Sequence, residues 1–427
     1  MNELLQAGDA GYDEARSVWN AMVDRYPAAI ARCHDTADVV AAVRYAREAG
    51  LEIGVRCGGH SIAGHAVPDG GLMIDLTPMN AVRVDPDRQL AWVQGGALLG
   101  ELDKAAQQFG LATTAGNVSH TGVGGLTLGG GMGWLARQFG LACDNVASYE
   151  LVTADGDVVR ASAAENPELF WGLRGGGGNF GIVTSFEFRL HQIGTRALVA
   201  EFTYPSSAGF DVLRTWRELN TTAPRQATFT ASITPDGVTV GYVWIGDGGF
   251  ELLDAFRAMG PVDEYVEEMP YLTLQSRDDN VQGHRYRRYW KGHYFKALPD
   301  DAIRALLHTP GVSASLQAYG GAIADVPDDD AAFSHRDTLF EFVTATRWED
   351  PAEDAARIAQ LREYAANLAP YANGAYLNTL NGDSINRAFP PAKLTRLTAL
   401  KTAYDPQNVF HLNQNIHPGE PATTSAA

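Results

Sequence analysis

Apolar residues recur along the chain at two different spacings, which distinguish its helices from its strands. Residues 37–49 carry apolar side chains at helical spacing and are followed by Gly50, which predicts a helix with a glycine stop. Residues 98–110 have the same pattern and predict an amphipathic helix ending at Gly110. Short apolar runs at 51–57, 71–79 and 89–97 predict strands. The first 190 residues or so therefore read as an α+β lobe.

The pattern changes after residue 196, where glycine becomes sparse. Strand-like residues 228–246 precede a helical stretch at 248–260, which predicts an antiparallel sheet covered on one side by helices. Residues 394–406 predict a final helix that ends at Pro406. A chain of 427 residues exceeds the usual size of a single core. We therefore expect two lobes, formed by residues 1–192 and 193–383, with a tail at 384–427.

Three glycine-rich segments carry the candidate chemistry: residues 56–61 (RCGGHS), 116–133 and 174–183. Glycine lets a ligand approach backbone N–H groups closely, and successive turn amides can bind a pyrophosphate. Neither the dinucleotide fingerprint of a βαβ unit nor a P-loop occurs. Taken alone, these segments could be structural turns or a cofactor cradle.

Longer motifs carry a family resemblance. They are VRCGGHSIAG (55–64), GLTLGGGMGWLARQFGLACDNV (125–146), ENPELFWGLRGGGGNFGIVTSFEF (165–188) and YDPQNVFHLNQNIHP (404–418). In this order they resemble the PCMH-type FAD-binding domain of vanillyl-alcohol-oxidase (VAO) type flavoproteins, and within them the berberine-bridge-enzyme-like branch, which includes nicotine and sugar oxidases. The resemblance implies an α+β, two-lobe fold: a PCMH/VAO-type FAD-binding domain (1–192), a substrate-binding domain (193–383) and a C-terminal segment (384–427) that returns to the FAD domain.

The resemblance also implies that His60 is attached to the 8α-methyl group of the flavin. A neutral imidazole is a good nucleophile near pH 7. The alternative is that His60 only hydrogen-bonds the cofactor. Many members carry a second tether, a cysteine two residues after the glycine that matches Gly116, but this chain has Val118 there. We therefore expect monocovalent 8α-histidyl FAD.

Further cofactor contacts follow from matched positions. Thr121 matches a small residue that affects oxygen access to the flavin. Ile182 and Val183 match the backbone on the adenine side, and Asn413 and Asn415 match amides that could bind the flavin or cap a turn. The full predicted set is Arg56, Cys57, Gly58, Gly59, His60, Ser61, Gly64, His65, Gly116, Ser119, Thr121, Gly122, Gly125, Leu126, Gly130, Gly131, Gly181, Ile182, Val183, Asn413 and Asn415.

Tyr376 is the predicted catalytic base, by its similarity to an active-site tyrosine of some relatives. A tyrosine pKa of ~10 requires a nearby cation or hydrogen-bond donors for this role. The strand-like residues 372–380 place Tyr376, Asn378 and Leu380 on one face. Tyr376 could equally be a packing aromatic, His120 is a rival base, and an unprotonated amine substrate needs no base.

Aromatic residues of the second lobe predict a flat-walled substrate pocket, although they could also be packing. They are Tyr289, Trp290, Tyr294 and Tyr319. The expected reaction is hydride transfer to FAD from a C–H next to OH or N of a small alcohol or amine, with aromatic compounds and sugars as candidate substrates. Molecular oxygen then gives hydrogen peroxide. The alternatives are a dehydrogenase with another acceptor and a non-catalytic flavin carrier.

Charge and composition exclude several partners. The net charge of −18 disfavours nucleic acid and anionic membranes. There is no apolar run of ~18 residues and no secretory signal, so we expect no membrane span and a cytoplasmic location. Three scattered cysteines predict neither a disulfide framework nor a zinc site.

Overall fold

The structure, a computed structural model, describes residues 3–279, 283–308 and 311–419. The outer ends of the predicted domains, at residues 1 and 427, lie outside the described residues. The elements of the first lobe are strands β1 (Glu3–Leu5), β2 (Ala29–Arg32), β3 (Ile53–Arg56), β4 (Leu72–Asp75), β5 (Val82–Asp85), β6 (Leu90–Gln94), β7 (Leu111–Ala112), β8 (Val146–Val152), β9 (Val158–Ser162), β10 (Ile182–Arg189) and β11 (His191–Gln192), and helices α1 (Tyr12–Arg16), α2 (Thr36–Ala49), α3 (Leu99–Gln107), α4 (Val123–Leu128), α5 (Ala136–Phe139) and α6 (Pro167–Leu173).

The second lobe and the tail follow. Their elements are strands β12 (Arg196–Pro205), β13 (Ala227–Thr234), β14 (Gly237–Ile245), β15 (Asp263–Pro270), β16 (Arg287–Phe295), β17 (Ala314–Ala318) and β18 (Phe340–Trp348), and helices α7 (Gly209–Thr221), α8 (Leu253–Arg257), α9 (Tyr271–Ser276), α10 (Asp300–Leu307), α11 (Ala322–Asp325), α12 (Asp354–Leu368) and α13 (Pro391–Tyr404). The α+β class is confirmed.

Two sheets form most of the first lobe. One has the strand order β1-β2-β4-β3, in which β2, β4 and β3 run parallel. The other is antiparallel, in the order β5-β6-β10-β8-β9. Helix α2 packs Val39 and Val43 against the first sheet. Because β3 ends at Arg56, the glycine turn that carries His60 begins at the carboxyl end of a buried sheet.

The second lobe is a seven-stranded antiparallel sheet in the order β15-β12-β14-β13-β17-β18-β16. One face is covered by α7, α10 and α12, which bury Trp216, Ile303 and Leu361 against it. This confirms the predicted sheet with helices on one side. The alternate residues point to the other face, because successive side chains of a strand point to opposite faces, and part of that face packs against the first lobe.

The tail is anchored by a buried ion pair between Lys401 and Asp405. The Lys401 ammonium donates to Asp405 at 2.7 Å and to the carbonyl oxygens of Asn179 and Phe410, both at 2.9 Å. The Asp405 carboxylate also accepts the backbone N–H of Val409 at Oδ1 and that of Phe410 at Oδ2. The tail therefore turns back onto the first lobe, whose core includes Leu397 and Ile416. The exact boundaries of the three predicted segments stay a prediction.

A buried carboxyl group joins the lobes where α3 meets α9. Gln275 donates its amide to Asp103 Oδ2 at 2.9 Å and to the carbonyl oxygen of Gly116 at 3.1 Å. Among the described residues, Asp103 Oδ1 and Gln275 Oε1 are buried without a hydrogen-bond partner. Burial raises the pKa of Asp103 from its ordinary 3.8 to about 7. A protonated Asp103 could donate to Gln275 Oε1 and satisfy both atoms.

We predict that Asp103→Asn removes a pH dependence of stability. Between pH ~4 and ~7 the unfolded chain releases the Asp103 proton and the folded chain keeps it, so the free energy of unfolding falls by up to about 1.4 kcal/mol per pH unit. Thermal unfolding should be measured from pH 4.5 to 8.5. The Tm of the variant minus that of the wild type should increase up to pH ~7 and then stay constant. A Tm difference independent of pH would contradict a neutral Asp103.

Candidate active site

A cavity of about 490 Å³ lies between the glycine-rich segments of the first lobe and the sheet of the second. The first lobe contributes the His60 turn, the 116–126 loop and the 177–183 loop. The tail contributes Asn413 and Gln414, and the second lobe contributes Trp290, Gln317 and Glu341. Segments far apart in sequence therefore converge on one site of a size typical for a cofactor or a small ligand.

Backbone contact between two glycines brings the His60 turn and the 116–126 loop together. A Cβ atom on Gly58 would lie 2.3 Å from the backbone nitrogen of Gly122, and one on Gly122 would lie 2.3 Å from that of Gly58. The sequence needs glycine at both positions because any side chain would push the two segments apart. This contact sets the distance between His60 and His120.

His60 is held on several sides. Its Nε2 lies 2.6 Å from Nδ1 of His120, and the Thr121 hydroxyl lies 3.4 Å from its Nδ1. The Trp19 ring stacks on the imidazole at 4.7 Å between centroids and 14° between planes. Removal from water, followed by the charges of His120 and Arg288, lowers the pKa of His60 to about 3. The imidazole is therefore neutral at physiological pH and can act as a nucleophile.

The cavity wall has the features that a flavin dinucleotide requires. Buried polar atoms of His65 (Nε2), Asn117 (Oδ1) and Asn413 (Oδ1) have no hydrogen-bond partner among the described residues. Leaving such an atom unpaired costs about 1–3 kcal/mol, so a polar ligand is expected to pair them. Gly125 and Gly178 have open space where a Cβ would be. The residues present thus fit FAD.

The structure brings most of the predicted residues to this cavity. Those that line it are Cys57, Gly58, Gly59, His60, Ser61, His65, Gly116, Thr121, Gly122, Gly125, Leu126, Gly181, Ile182, Val183, Trp290, Tyr376, Asn378 and Asn413. Val118 also lines the cavity, which places its apolar side chain where a second tether was considered.

Several predicted cofactor residues do not line the cavity and instead support its wall. Arg56 points away and donates to the carbonyl oxygen of Ala15. Ser119 is turned toward Asp279, whose carboxylate accepts its N–H at 2.9 Å and its hydroxyl at 2.5 Å. Gly131 donates its N–H to the Tyr376 hydroxyl at 2.8 Å. The same correction applies to Gly64, Gly130 and Asn415, and to His120, which sits beside His60.

Three of the four predicted pocket aromatics also lie off the cavity wall. Tyr289 points into the core beneath the helices, where its hydroxyl accepts a hydrogen bond from Arg362, while its neighbour Trp290 faces the cavity. The alternation of a strand explains this difference. Tyr294 and Tyr319 are buried behind the wall, with their hydroxyl oxygens 3.5 Å apart.

The strand predicted around Tyr376 is wrong, although its side-chain grouping is partly right. Residues Leu377–Thr379 form a short 3₁₀ turn. Tyr376 and Asn378 still meet, because Asn378 donates its amide to the Tyr376 hydroxyl at 2.9 Å, whereas Leu380 packs in the core of the first lobe. Burial and the nearby Glu341 carboxyl raise the pKa of Tyr376 above its ordinary value, so the phenol stays protonated.

Glu341, an acidic residue of the cavity wall, is not among the residues predicted from the sequence. It lies on β18, where its carboxylate accepts the Tyr319 hydroxyl at 2.7 Å. Burial raises the pKa of Glu341 to about 7. Its cross-strand neighbour Gln317 also lines the cavity, and Gln317 Nε2 has no partner among the described residues. A lone acid between Phe340 and Phe342 was the available signal.

Trp19 is a second missed residue, and no periodic pattern marks it. It precedes the first predicted helix and lines the cavity beside His60. Its indole Nε1 is buried without a partner among the described residues.

Comparison with known proteins agrees with the site. The family described as FAD binding domain matches residues 27–162, and the family described as berberine and berberine like matches residues 375–417. A FAD-linked oxidoreductase of Dictyostelium discoideum is 33% identical, over 94% of this chain and 91% of the relative. (R)-6-hydroxynicotine oxidase of Paenarthrobacter nicotinovorans is 32% identical, over 98% of this chain and 97% of the relative.

A solved structure shows the same fold. Glucooligosaccharide oxidase from Acremonium strictum, whose FAD is described as 6-S-cysteinyl and 8α-N1-histidyl, superposes with a TM-score of 0.87 at 26% identity, covering 98% of this chain and 97% of that one. The fold and the cavity define a FAD-dependent oxidoreductase of the oxidase class. The chain belongs to the berberine-bridge-enzyme-like family of FAD-linked oxidoreductases. In the part of the chain that the structure describes, we find no helix with the length and apolar character of a bilayer span.

We predict that Gly125→Ala weakens FAD binding without destabilising the protein. The new methyl group would enter the cavity rather than the protein interior, and alanine favours the helix α4 by about 0.5–1 kcal/mol. The FAD content after purification should fall while the Tm of the flavin-free fraction stays equal or rises. Gly419→Ala, whose Cβ would have ordinary contacts at 3.5 Å outside the cavity, is the matched control. Full FAD content in both variants would count against this placement of the cofactor.

Proposed function

We propose that this protein is an oxidase that removes a hydride from a C–H next to a hydroxyl or amine of a small substrate, with FAD attached covalently to His60. One observation carries the proposal: a neutral histidine and a buried carboxyl group of raised pKa line the same cavity. The histidine supplies an attachment point, and the carboxyl group supplies a proton acceptor. A cytoplasmic location stays a prediction.

The geometry favours attachment through Nδ1 of His60, because Nε2 is hydrogen-bonded to His120. His60 Nδ1 would form the new bond, and His120 would accept the Nε2 proton that the imidazole gives up. When bound, FAD would supply the 8α carbon, which would give up one proton, and would accept the electron pair. Molecular oxygen would then take up that pair with two protons to give hydrogen peroxide. The 8α-N1-histidyl FAD of glucooligosaccharide oxidase supports this assignment.

Three further residues of the cavity wall would act on the substrate in different ways. When bound, FAD supplies the hydride acceptor. Glu341 can accept the proton of a substrate hydroxyl, since a carboxyl group with a pKa of about 7 is suited to general-base catalysis at neutral pH. The protonated Tyr376 is better placed to donate a hydrogen bond to the substrate oxygen. Trp290 offers a flat wall for a ring.

The choice of electron acceptor rests on Thr121 and on the relatives. Thr121 lines the cavity with a small side chain, which leaves room for molecular oxygen. Nicotine and oligosaccharide oxidases among the relatives support the same acceptor and a small organic substrate. Mixing reduced enzyme with oxygen should give fast reoxidation with hydrogen peroxide; very slow reoxidation would favour the dehydrogenase alternative.

We predict that flavin colour stays with the acid-precipitated wild-type protein and is lost from acid-precipitated His60→Ala, whose remaining FAD should be dissociable. Mass spectrometry of the peptide containing His60 should locate the bond. His65→Ala is the matched control, because His65 also lines the cavity, but its buried Nε2 has no hydrogen-bond partner among the described residues, whereas His60 Nε2 has His120. Flavin colour that stays with the acid-precipitated His60→Ala protein would refute the attachment.

We predict that Glu341→Gln slows anaerobic flavin reduction by about 10²–10⁴-fold, the usual contribution of a general base. In the wild type the reduction rate should rise with pH through ~7 as Glu341 loses its proton, and in the variant it should be flat. Tyr319→Phe removes a hydrogen bond that lowers the pKa of Glu341 and should move the profile to higher pH. Stopped-flow absorbance measures all three.

The same experiment on Tyr376→Phe separates the two candidate bases. Loss of one hydrogen-bond donor should slow reduction by about 5-fold, since such a bond is worth about 1 kcal/mol. A loss of about 10²–10⁴-fold in Tyr376→Phe, with little change in Glu341→Gln, would assign the base to Tyr376 instead.

A further inference from the structure

Residues 17–21, which precede the first family-matched residue, wrap around the His60 turn. We propose that Trp19 and Asn20 of this segment are positioning residues for flavin attachment: Trp19 fixes the plane of the His60 imidazole, and Asn20 ties the His60 turn to strand β16 of the second lobe. This inference rests on the covalent attachment proposed above.

Trp19 holds the imidazole by ring stacking and by the backbone. The stacked rings are nearly parallel, and the Trp19 N–H donates to the carbonyl oxygen of Gly59 at 3.0 Å, directly before His60. Trp19 is itself fixed from the second lobe. The Arg288 guanidinium lies 3.9 Å from the Trp19 ring centre and donates to the Trp19 carbonyl oxygen at 2.5 Å.

Asn20 is a clamp between the lobes, and only 2% of its surface is exposed. Its amide group donates to the carbonyl oxygen of Ile62 at 2.9 Å and to that of Arg288 at 3.1 Å. Its side-chain oxygen accepts the Arg288 N–H at 2.9 Å. One side chain thus satisfies both backbone groups of Arg288, as a neighbouring strand would, at the free edge of the sheet. The Ala21 N–H extends the pairing to the carbonyl oxygen of Tyr286.

These contacts supply what the histidine pair alone lacks. The hydrogen bond to His120 fixes the direction of one ring nitrogen but leaves the imidazole free to tilt about that direction. Stacking on Trp19 removes this freedom, so Nδ1 keeps one direction relative to the cavity. Bond formation is sensitive to such orientation, and a small misplacement of a reacting group can slow a reaction by on the order of 10²-fold.

The test uses the purified holoenzyme and three variants. Trp19→Met keeps an apolar side chain of adaptable shape but loses the flat ring, Trp19→Phe keeps a flat ring, and Asn20→Ala removes the clamp. Trp92→Met is the matched control, because Trp92 lies on β6 with the Arg83 guanidinium 3.8 Å from its ring and is outside the cavity wall. The readout is the ratio of acid-stable to dissociable flavin, with total FAD and Tm measured in parallel.

We expect Trp19→Met and Asn20→Ala to lower the ratio by about 10-fold or more while total FAD changes little. Trp19→Phe should recover most of it, and Trp92→Met should match the wild type. General destabilisation would instead lower total FAD and Tm together. If Trp19→Met does not fold, a lowered ratio in Asn20→Ala beside a near-wild-type ratio in Trp19→Phe would support the positioning role.

Wild-type ratios in both Trp19→Met and Asn20→Ala would overturn the positioning role. If Trp19→Met does not fold, a wild-type ratio in Asn20→Ala would do so. Entirely dissociable flavin in the wild type would refute the covalent attachment itself, so the two failures are distinguishable.

Discussion

The site depends on the direct backbone contact between Gly58 and Gly122. These glycines belong to segments more than sixty positions apart, yet neither tolerates a Cβ because the other's backbone nitrogen occupies that space. The contact presses the His60 turn against the 116–126 loop and makes the His60–His120 hydrogen bond possible. It also leaves the outer surfaces of both segments, rich in glycine, to form one wall of the cavity.

The same physical cause acts in opposite directions on the two titratable groups of that wall. Removal from water disfavours the charged form of each group, so it lowers the pKa of His60 and raises that of Glu341. The result is a neutral imidazole and, near pH 7, a carboxyl group that can exist in either protonation state. Burial is the largest cause in both cases, and for His60 the charges of His120 and Arg288 act in the same direction.

The residues that the first lobe contributes to the site could be predicted because they lie in long sequence motifs. Those of the second lobe were hard to predict because they are brought to the cavity by packing between distant segments. The His60 turn and the 116–126 loop both belong to glycine-rich segments that occur in the order of the resembling family, so their convergence on one cofactor could be expected. Which of Tyr289 and Trp290 faces the cavity depends on which face of β16 the helices cover, and the sequence alone left that open. Glu341 looked like one more acid in an acidic chain, because its burial comes from the packing of three separate strands.

Because Val118 cannot form a second bond to the flavin, noncovalent contacts of the cavity wall would have to hold the cofactor in one orientation. A single bond from His60 would permit rotation about that bond, which a second tether would prevent. The restriction must then come from contacts on both sides of the ring system, and the structure offers Val118 and Leu126 from the loop, together with Trp290 from the second lobe. Because Trp290 belongs to strand β16, which Asn20 clamps, the alignment of the two lobes would become part of holding the cofactor. The orientation of a cofactor attached at one point would therefore depend more on the alignment of the two lobes than that of a cofactor attached at two points.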